Sequence, residues 1–343
     1  MHQVPNSLNQ TKASMPTIRK AGKPDTIAVR RSVNCGHSSL LDSIKSERRR
    51  PTSRAGLFID DIYTNAAGSR AYKLYIPGSY TGQALPLIVM LHGCYQTPED
   101  FAHGTQMNLI AEREGCFVAY PAQAQSANTS NCWNWYEPLD QRRDHGEPSI
   151  IAGITRTIAA VYHVDARRIY VAGLSAGGAM AAIMAATYPE IYAAVGIHSG
   201  LPVGAAHDYM SAINAMQNGY STASVLCRFD DTVPTIVFHG DLDTTVHPAN
   251  AERMLAQVID KIDSCAESMT VNYVESALPQ ADTYAYTRTI RVNEEERIFA
   301  EHWLVHGAGH AWCGGSARGT FTDEKGPDAS YEMMRFFLGL ARG

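Results

Sequence analysis

No apolar run in the chain approaches the roughly 18 consecutive residues that cross a bilayer, so no membrane span is expected. The seven cysteines, Cys35, Cys94, Cys116, Cys132, Cys227, Cys265 and Cys313, form no C-x-x-C pair. That excludes zinc-ribbon and thioredoxin-type spacings, and the odd count forbids complete internal pairing. There is no H-E-x-x-H stretch and no carboxylate cluster, so neither a metal nor another cofactor is expected. No internal repeat is present. Residues 1 to 55 lack aromatic side chains and also the apolar stretch of a secretory signal.

What that first segment does hold is basic charge, in Arg30-Arg31 and Arg48-Arg49-Arg50-Pro51, set among Ser and Pro. It reads as a solvated tail over residues 1–55, followed by one folded domain over 56–343. Docking of the tail on nucleic acid or anionic lipid is the competing reading, and the absence of interleaved aromatic residues counts against nucleic acid as a partner. The whole chain carries a formal charge of −5, so the acidic excess lies in the domain. With 343 residues, 45% hydrophobic and 18% charged, that domain can bury a large core.

Strand-like and helix-like segments alternate along it. Ala71 to Ile76 and Leu85 to Leu91 read as strands, the second apolar throughout, as a parallel strand covered on both faces would be. Pro98 to Glu114 reads as mainly helical, and Phe117 to Tyr120 as a strand. Pro121 to Pro148 is a long polar and aromatic loop of the kind that tends to carry function. Ile150, Ile154, Ile158 and Val161 recur at helical spacing, leading to a strand over Arg168 to Ala172. Further strands are expected at Ala193 to Ile197, Thr235 to Phe238, Thr270 to Val274, Tyr284 to Ile290 and Phe299 to Val305. Ser330 to Leu340 reads as a closing helix. Ala205 to Cys227 is a polar, helix-capable insertion suited to a lid or rim.

Between the Arg168 strand and an Ala- and Met-rich helix stands Gly173-Leu174-Ser175-Ala176-Gly177, a G-x-S-x-G nucleophile elbow. A serine hydroxyl is a poor nucleophile at neutral pH and needs an imidazole to take its proton and a carboxylate to orient that imidazole. Both follow, in the order of an α/β-hydrolase. Asp243 lies in a loop at the end of the Thr235 strand, with Asp241 as the competitor better suited to capping that turn. His310 lies in His306-Gly307-Ala308-Gly309-His310-Ala311-Trp312, while His302 and His306 sit within or at the end of a strand and suit packing. The oxyanion donors are read as the Ala176 N–H and the turn Leu91-His92-Gly93-Cys94-Tyr95, with Cys94 N–H first and Tyr95 next.

These segments, with Cys132-Trp133-Asn134-Trp135, together resemble the poly(3-hydroxybutyrate) depolymerase family of α/β-hydrolase esterases, which includes feruloyl-esterase-like and acetylxylan-esterase-like members. The resemblance covers roughly residues 56 to 340. It implies an α/β-hydrolase fold, a mostly parallel central sheet with helices on both faces, and a cofactor-independent esterase with Ser175, Asp243 and His310 as its triad. The expected substrate is poly(3-hydroxybutyrate) or its oligomers, and the alternative is a feruloyl or acetyl ester of plant polysaccharide. A rival of another class is a non-catalytic granule or nucleic-acid binding protein that uses the basic tail. Trp133, Trp135 and Tyr136 are candidates for an apolar wall around the acyl chain, against the alternative that they are core residues under a long loop. No linker and polymer-binding module follows His310, which favours a soluble oligoester or amorphous granule. The missing signal region favours the cytoplasm or a polymer granule, whereas the resemblance implies an extracellular site. Export would permit a Cys94–Cys132 bridge fixing this loop beside the oxyanion donor. Oligomeric state is not fixed by the sequence.

Overall fold

Unbroken apolarity in Leu85 to Leu91 has a direct structural counterpart: Leu87, Val89 and Leu91 face one buried cluster, while Ile88 and Met90 face another. In the computed structural model, which describes residues 55–219, 233–263, 271–278, 282–293 and 295–342, this strand lies inside a sheet of ten. The basic tail, Cys35, Cys227 and Cys265 lie outside the described residues.

The strands in chain order are β1 (Leu57–Asn65), β2 (Gly68–Ile76), β3 (Leu85–Leu91), β4 (Phe117–Pro121), β5 (Val164–Leu174), β6 (Ala194–His198), β7 (Thr235–Gly240), β8 (Val271–Ala277), β9 (Ala285–Val292) and β10 (Ile298–His306). Across the sheet they run β1-β2-β4-β3-β5-β6-β7-β10-β9-β8. The central run from β4 to β10 is parallel, and antiparallel strands flank it on both sides.

Among the described residues seven α-helices cover the sheet: α1 (Pro98–Thr105), α2 (Met107–Glu114), α3 (Gly146–Val161), α4 (Ala176–Thr187), α5 (Tyr209–Asn218), α6 (Ala249–Asp263) and α7 (Ala329–Leu338). Side chains of α3, α4, α5 and α6 join the cluster of Leu87 and Val89, and those of α1, α2 and α7 join the cluster of Ile88 and Met90. Helices therefore lie on both faces, as expected of parallel β-α-β units. Among the described residues no helix is long and apolar enough to cross a membrane.

Three local features differ from the sequence reading. The helix expected over Pro98 to Glu114 is two helices, because Gln106 takes a left-handed conformation (φ 54°) and its N–H closes α1 on the Ala102 carbonyl. β1 was not expected; it is an edge strand whose alternation is interrupted by Asp60-Asp61. α6 was not expected either, although Ala251, Met254 and Leu255 recur at helical spacing and are buried. The segment Ala205 to Cys227 does contain a helix, α5, capped by Asp208 accepting the Ser211 N–H at 2.7 Å; residues 220 to 227 lie outside the described residues.

Candidate active site

Ser175 leaves the end of β5 at φ 57° and ψ −120°, backbone values that a residue with a Cβ rarely adopts. Its N–H bonds the His198 carbonyl of β6 at 2.9 Å, and α4 begins at once with Ala176. The flanking glycines are required by close approach: a Cβ on Gly177 would overlap the Leu91 and His92 carbonyls, and one on Gly173 would overlap the Gly177 backbone. Ala176 N–H is in the first turn of α4, where a helix leaves its donors free.

Asp243 follows β7 and is nearly fully buried. Its Oδ1 accepts the N–H groups of Thr245 and Val246 at 2.9 and 2.8 Å. Its Oδ2 lies 2.7 Å from His310 Nδ1 and 3.4 Å from His239 Nε2. Burial alone would push the carboxyl pKa up, but the donors from His239 and His310 outweigh it and hold the group well below the usual carboxylate range. The ionised carboxylate fixes His310 as a donor at Nδ1, leaving Nε2 free to accept a proton.

The loops that carry this acid and base are joined to each other. Asp241 N–H bonds Val305 O at 3.1 Å and Leu242 N–H bonds Ala308 O at 3.0 Å; a Cβ on Gly240 would overlap the Ala308 backbone. Asp241, the competing acid, is committed elsewhere: it accepts from His306 Nδ1 at 2.9 Å and from Gly307 N–H at 2.7 Å. His302 is half-buried in β10 with its Nε2 enclosed, and desolvation pushes its pKa down to about 4.

In the turn after β3, Tyr95 N–H is spent on Ser130 O at 2.7 Å and Gly93 N–H on Gln96 Oε1 at 2.8 Å. Cys94 N–H has no acceptor among the described residues, so of the two donors read from the sequence it is the one left free. The Gly93 carbonyl accepts from His92 Nδ1 at 2.8 Å, and His92 Nε2 in turn accepts the Gln123 N–H at 3.1 Å. Burial pushes the His92 pKa down to about 4, so the ring is neutral at neutral pH and this tautomer is fixed.

Ser175, Ala176, Cys94 and His310 all line one cleft of about 820 Å³. Cys94 and Cys132 are bridged, holding the long loop against the turn after β3. Behind it, buried Glu147 accepts from the Asn134 N–H and Nδ2 and from the Gln123 side chain, while Arg70 lies 3.3 Å away. Trp135 and Tyr136 line the cleft. Trp133 does not: it is fully buried and donates its indole N–H to the His92 carbonyl at 3.1 Å, so it braces the turn from behind. The remaining wall comes from residues the sequence reading did not single out, among them Tyr209, Ile213 and Met216 of α5, Leu201, Val246 and Phe321. Among the described residues no group of three or more His, Cys, Asp or Glu side chains is placed to hold a metal ion.

The esterase PHB depolymerase family model matches residues 70–269, more than half of the chain. The chain belongs to that family. It is similar to poly(3-hydroxyalkanoate) depolymerase C of Paucimonas lemoignei, 32% identical over 209 residues that make up 58% of this chain and 50% of that protein. It is also similar to feruloyl esterase B of Neurospora crassa, 37% identical over 140 residues covering 40% of this chain and 46% of that protein. The chain thus spans about half the length of these two curated relatives. An acetyl xylan esterase from Aspergillus awamori shares the fold, with a TM-score of 0.62 at 20% identity over 83% of this chain and 99% of that one. The α/β-hydrolase fold and the family expected from the motifs are both found. His239 had only the His239-Gly240 dipeptide to mark it, and its place beside the acid emerges from the turn that brings Asp243 back under β7.

Proposed function

We propose that the protein is a serine esterase whose nucleophile is Ser175. Ser175 Oγ attacks the ester carbonyl while His310 Nε2 takes its proton, and Asp243 holds His310 Nδ1–H and stabilises the imidazolium. The Ala176 and Cys94 N–H groups receive the oxyanion. His310 then protonates the departing alkoxide. Water, deprotonated by the same imidazole, attacks the acyl-enzyme, the acid leaves, and Ser175 regains its proton. The observation that carries this reading is the 2.7 Å contact between His310 Nδ1 and Asp243 Oδ2, beside a serine elbow and an unclaimed N–H in one cleft.

For substrate, the reading is poly(3-hydroxybutyrate) or its oligomers. It is supported by the family match and by a cleft wall in which, His310 aside, Glu137 is the one charged side chain among the described lining residues. Aromatic and aliphatic walls of this kind suit an uncharged aliphatic polyester segment. The second reading, a feruloyl or acetyl ester, is supported by the likeness to feruloyl esterase B. The bridge between Cys94 and Cys132 favours an oxidising compartment, and so an extracellular site. Turnover of 3-hydroxybutyrate oligomers, amorphous poly(3-hydroxybutyrate), methyl ferulate and short p-nitrophenyl esters by one preparation separates these substrates. Absence of turnover on all four would overturn the esterase reading.

A further inference from the structure

The oxyanion turn is gripped from behind by a residue that does not line the cleft. Gln96 is 1% exposed. Its Oε1 accepts the Gly93 N–H at 2.8 Å, and its own backbone N–H donates to the Gly93 carbonyl at 3.3 Å. One residue thus holds Gly93 on both sides. The other end of the amide is equally committed: Nε2 donates to Asp100 Oδ2 and to the Thr320 carbonyl, each at 2.9 Å. Asp100 in α1 closes the network by accepting the Thr320 N–H at 2.9 Å and the Thr320 hydroxyl at 2.6 Å.

The consequence follows from peptide planarity. The Gly93 carbonyl and the Cys94 N–H belong to one rigid plane, so fixing the direction of the first fixes the second. Gly93 has no Cβ to restrict its torsions, and an unrestrained glycine would let that plane swing. His92 Nδ1 holds the carbonyl from one side, and Gln96 holds both the carbonyl and the preceding N–H. The same amide fixes the carbonyl of the residue before Phe321, an aromatic side chain on the cleft wall.

We propose that Gln96 is a positioning residue for the oxyanion donor. By clamping Gly93 it aims Cys94 N–H at the carbonyl oxygen of the substrate, and through Thr320 it holds Phe321 at the rim in the same register. This rests on the esterase reading above. It predicts an effect on the tetrahedral state that exceeds any effect on ground-state binding.

The test uses two variants of the full chain, assayed with p-nitrophenyl butyrate and with a trifluoromethyl ketone, whose hemiketal oxygen occupies the oxyanion position. Gln96→Met keeps the size and loses every side-chain bond. Its expected result is a kcat about 10- to 100-fold lower, below the ~10²–10³ that follows removal of an oxyanion donor itself, with KM within about twofold. Affinity for the ketone should fall by the same factor as kcat. Gln96→Glu alone would keep an acceptor over Gly93 N–H but set a carboxylate against Asp100 Oδ2, so it is combined with Asp100→Asn, whose side-chain amide can donate to it in the reverse sense. This double variant keeps the hold on Gly93 and should recover part of the kcat lost in Gln96→Met. An unchanged kcat in Gln96→Met, a loss confined to KM, or equal losses in Gln96→Met and the double variant overturns the proposal. If Gln96→Met does not fold, the double variant alone decides: a loss of kcat of more than a hundredfold in it overturns the proposal. A wild-type chain without ester turnover overturns the esterase reading and this role together, whereas an active wild type with an unimpaired Gln96→Met removes only the role of Gln96.

Discussion

One oxygen of Asp243, Oδ2, lies within reach of two imidazoles, 2.7 Å from His310 Nδ1 and 3.4 Å from His239 Nε2. His239 also reaches the Val246 carbonyl at 2.8 Å, so its Nε2–H is shared between that carbonyl and the acid. The acid is therefore oriented from below as well as by the residue it serves. Asp243→Asn is expected to lower kcat by about 10³- to 10⁴-fold through loss of the correct His310 tautomer. His239→Leu should cost less, about tenfold, with KM unchanged, since Asp243 keeps three of its four partners. Steady-state kinetics on p-nitrophenyl butyrate checks both, and equal losses would show that His239 is more than a support.

Ser175→Ala is expected to fold as the wild type does and to lose about 10⁴- to 10⁶-fold in kcat. Circular dichroism and ester turnover on the same purified sample check it. Residual activity near wild type would remove Ser175 from the mechanism.

Stability should decline on acidification well before the carboxylates titrate. Burial pushes His92 and His302 down to about 4 and His198 to about 3, below the value near 6.5 of an unfolded histidine. Because these folded pKa values are depressed, the unfolded chain binds the extra protons, and stability present above about pH 6.5 is lost as pH falls toward 4. Each histidine contributes a slope of up to about 1.4 kcal/mol per pH unit in that window. Asp243, also depressed, adds a further loss below its unfolded value of about 3.9. Urea unfolding at pH 7, 5.5 and 4.5 measures the slope, and His302→Gln should reduce it by the contribution of one proton.

Reduction of the Cys94–Cys132 bridge should cost both stability and rate. The two cysteines are 38 residues apart, for which chain entropy gives about 3 to 4 kcal/mol. Cys132→Ser should lower the unfolding free energy by that order and reduce kcat more than it raises KM, since Cys94 carries the free N–H. A variant with wild-type kcat would show that hydrogen bonds alone hold the turn.

The proposed trio was legible because each member follows the end of a strand and has a chemical reason to be there. The choice between Asp243 and Asp241 was legible only as a preference: both follow β7, and it is the joined loops that turn Asp241 toward His306 and Asp243 toward His310. Trp133 and Trp135 are two residues apart in a loop without periodicity, so nothing in the sequence separates the brace from the wall. β1 was hidden because an edge strand with Leu57 and Ile62 exposed does not sort its apolar residues to one face. Gln96 was hidden for a different reason, since its partner Thr320 is 224 residues away in the chain.

The left-handed backbone at Ser175 has a further meaning for how this protein can change. A serine held at φ 57° and ψ −120° costs on the order of 1–3 kcal/mol relative to a residue at ease there. Glycine would relieve that cost and abolish the hydroxyl in the same step. At this one position thermostability and the proposed turnover are opposed, so selection for heat resistance alone would discard the proposed nucleophile, and a stabilising screen that ignores activity would count its loss as an improvement.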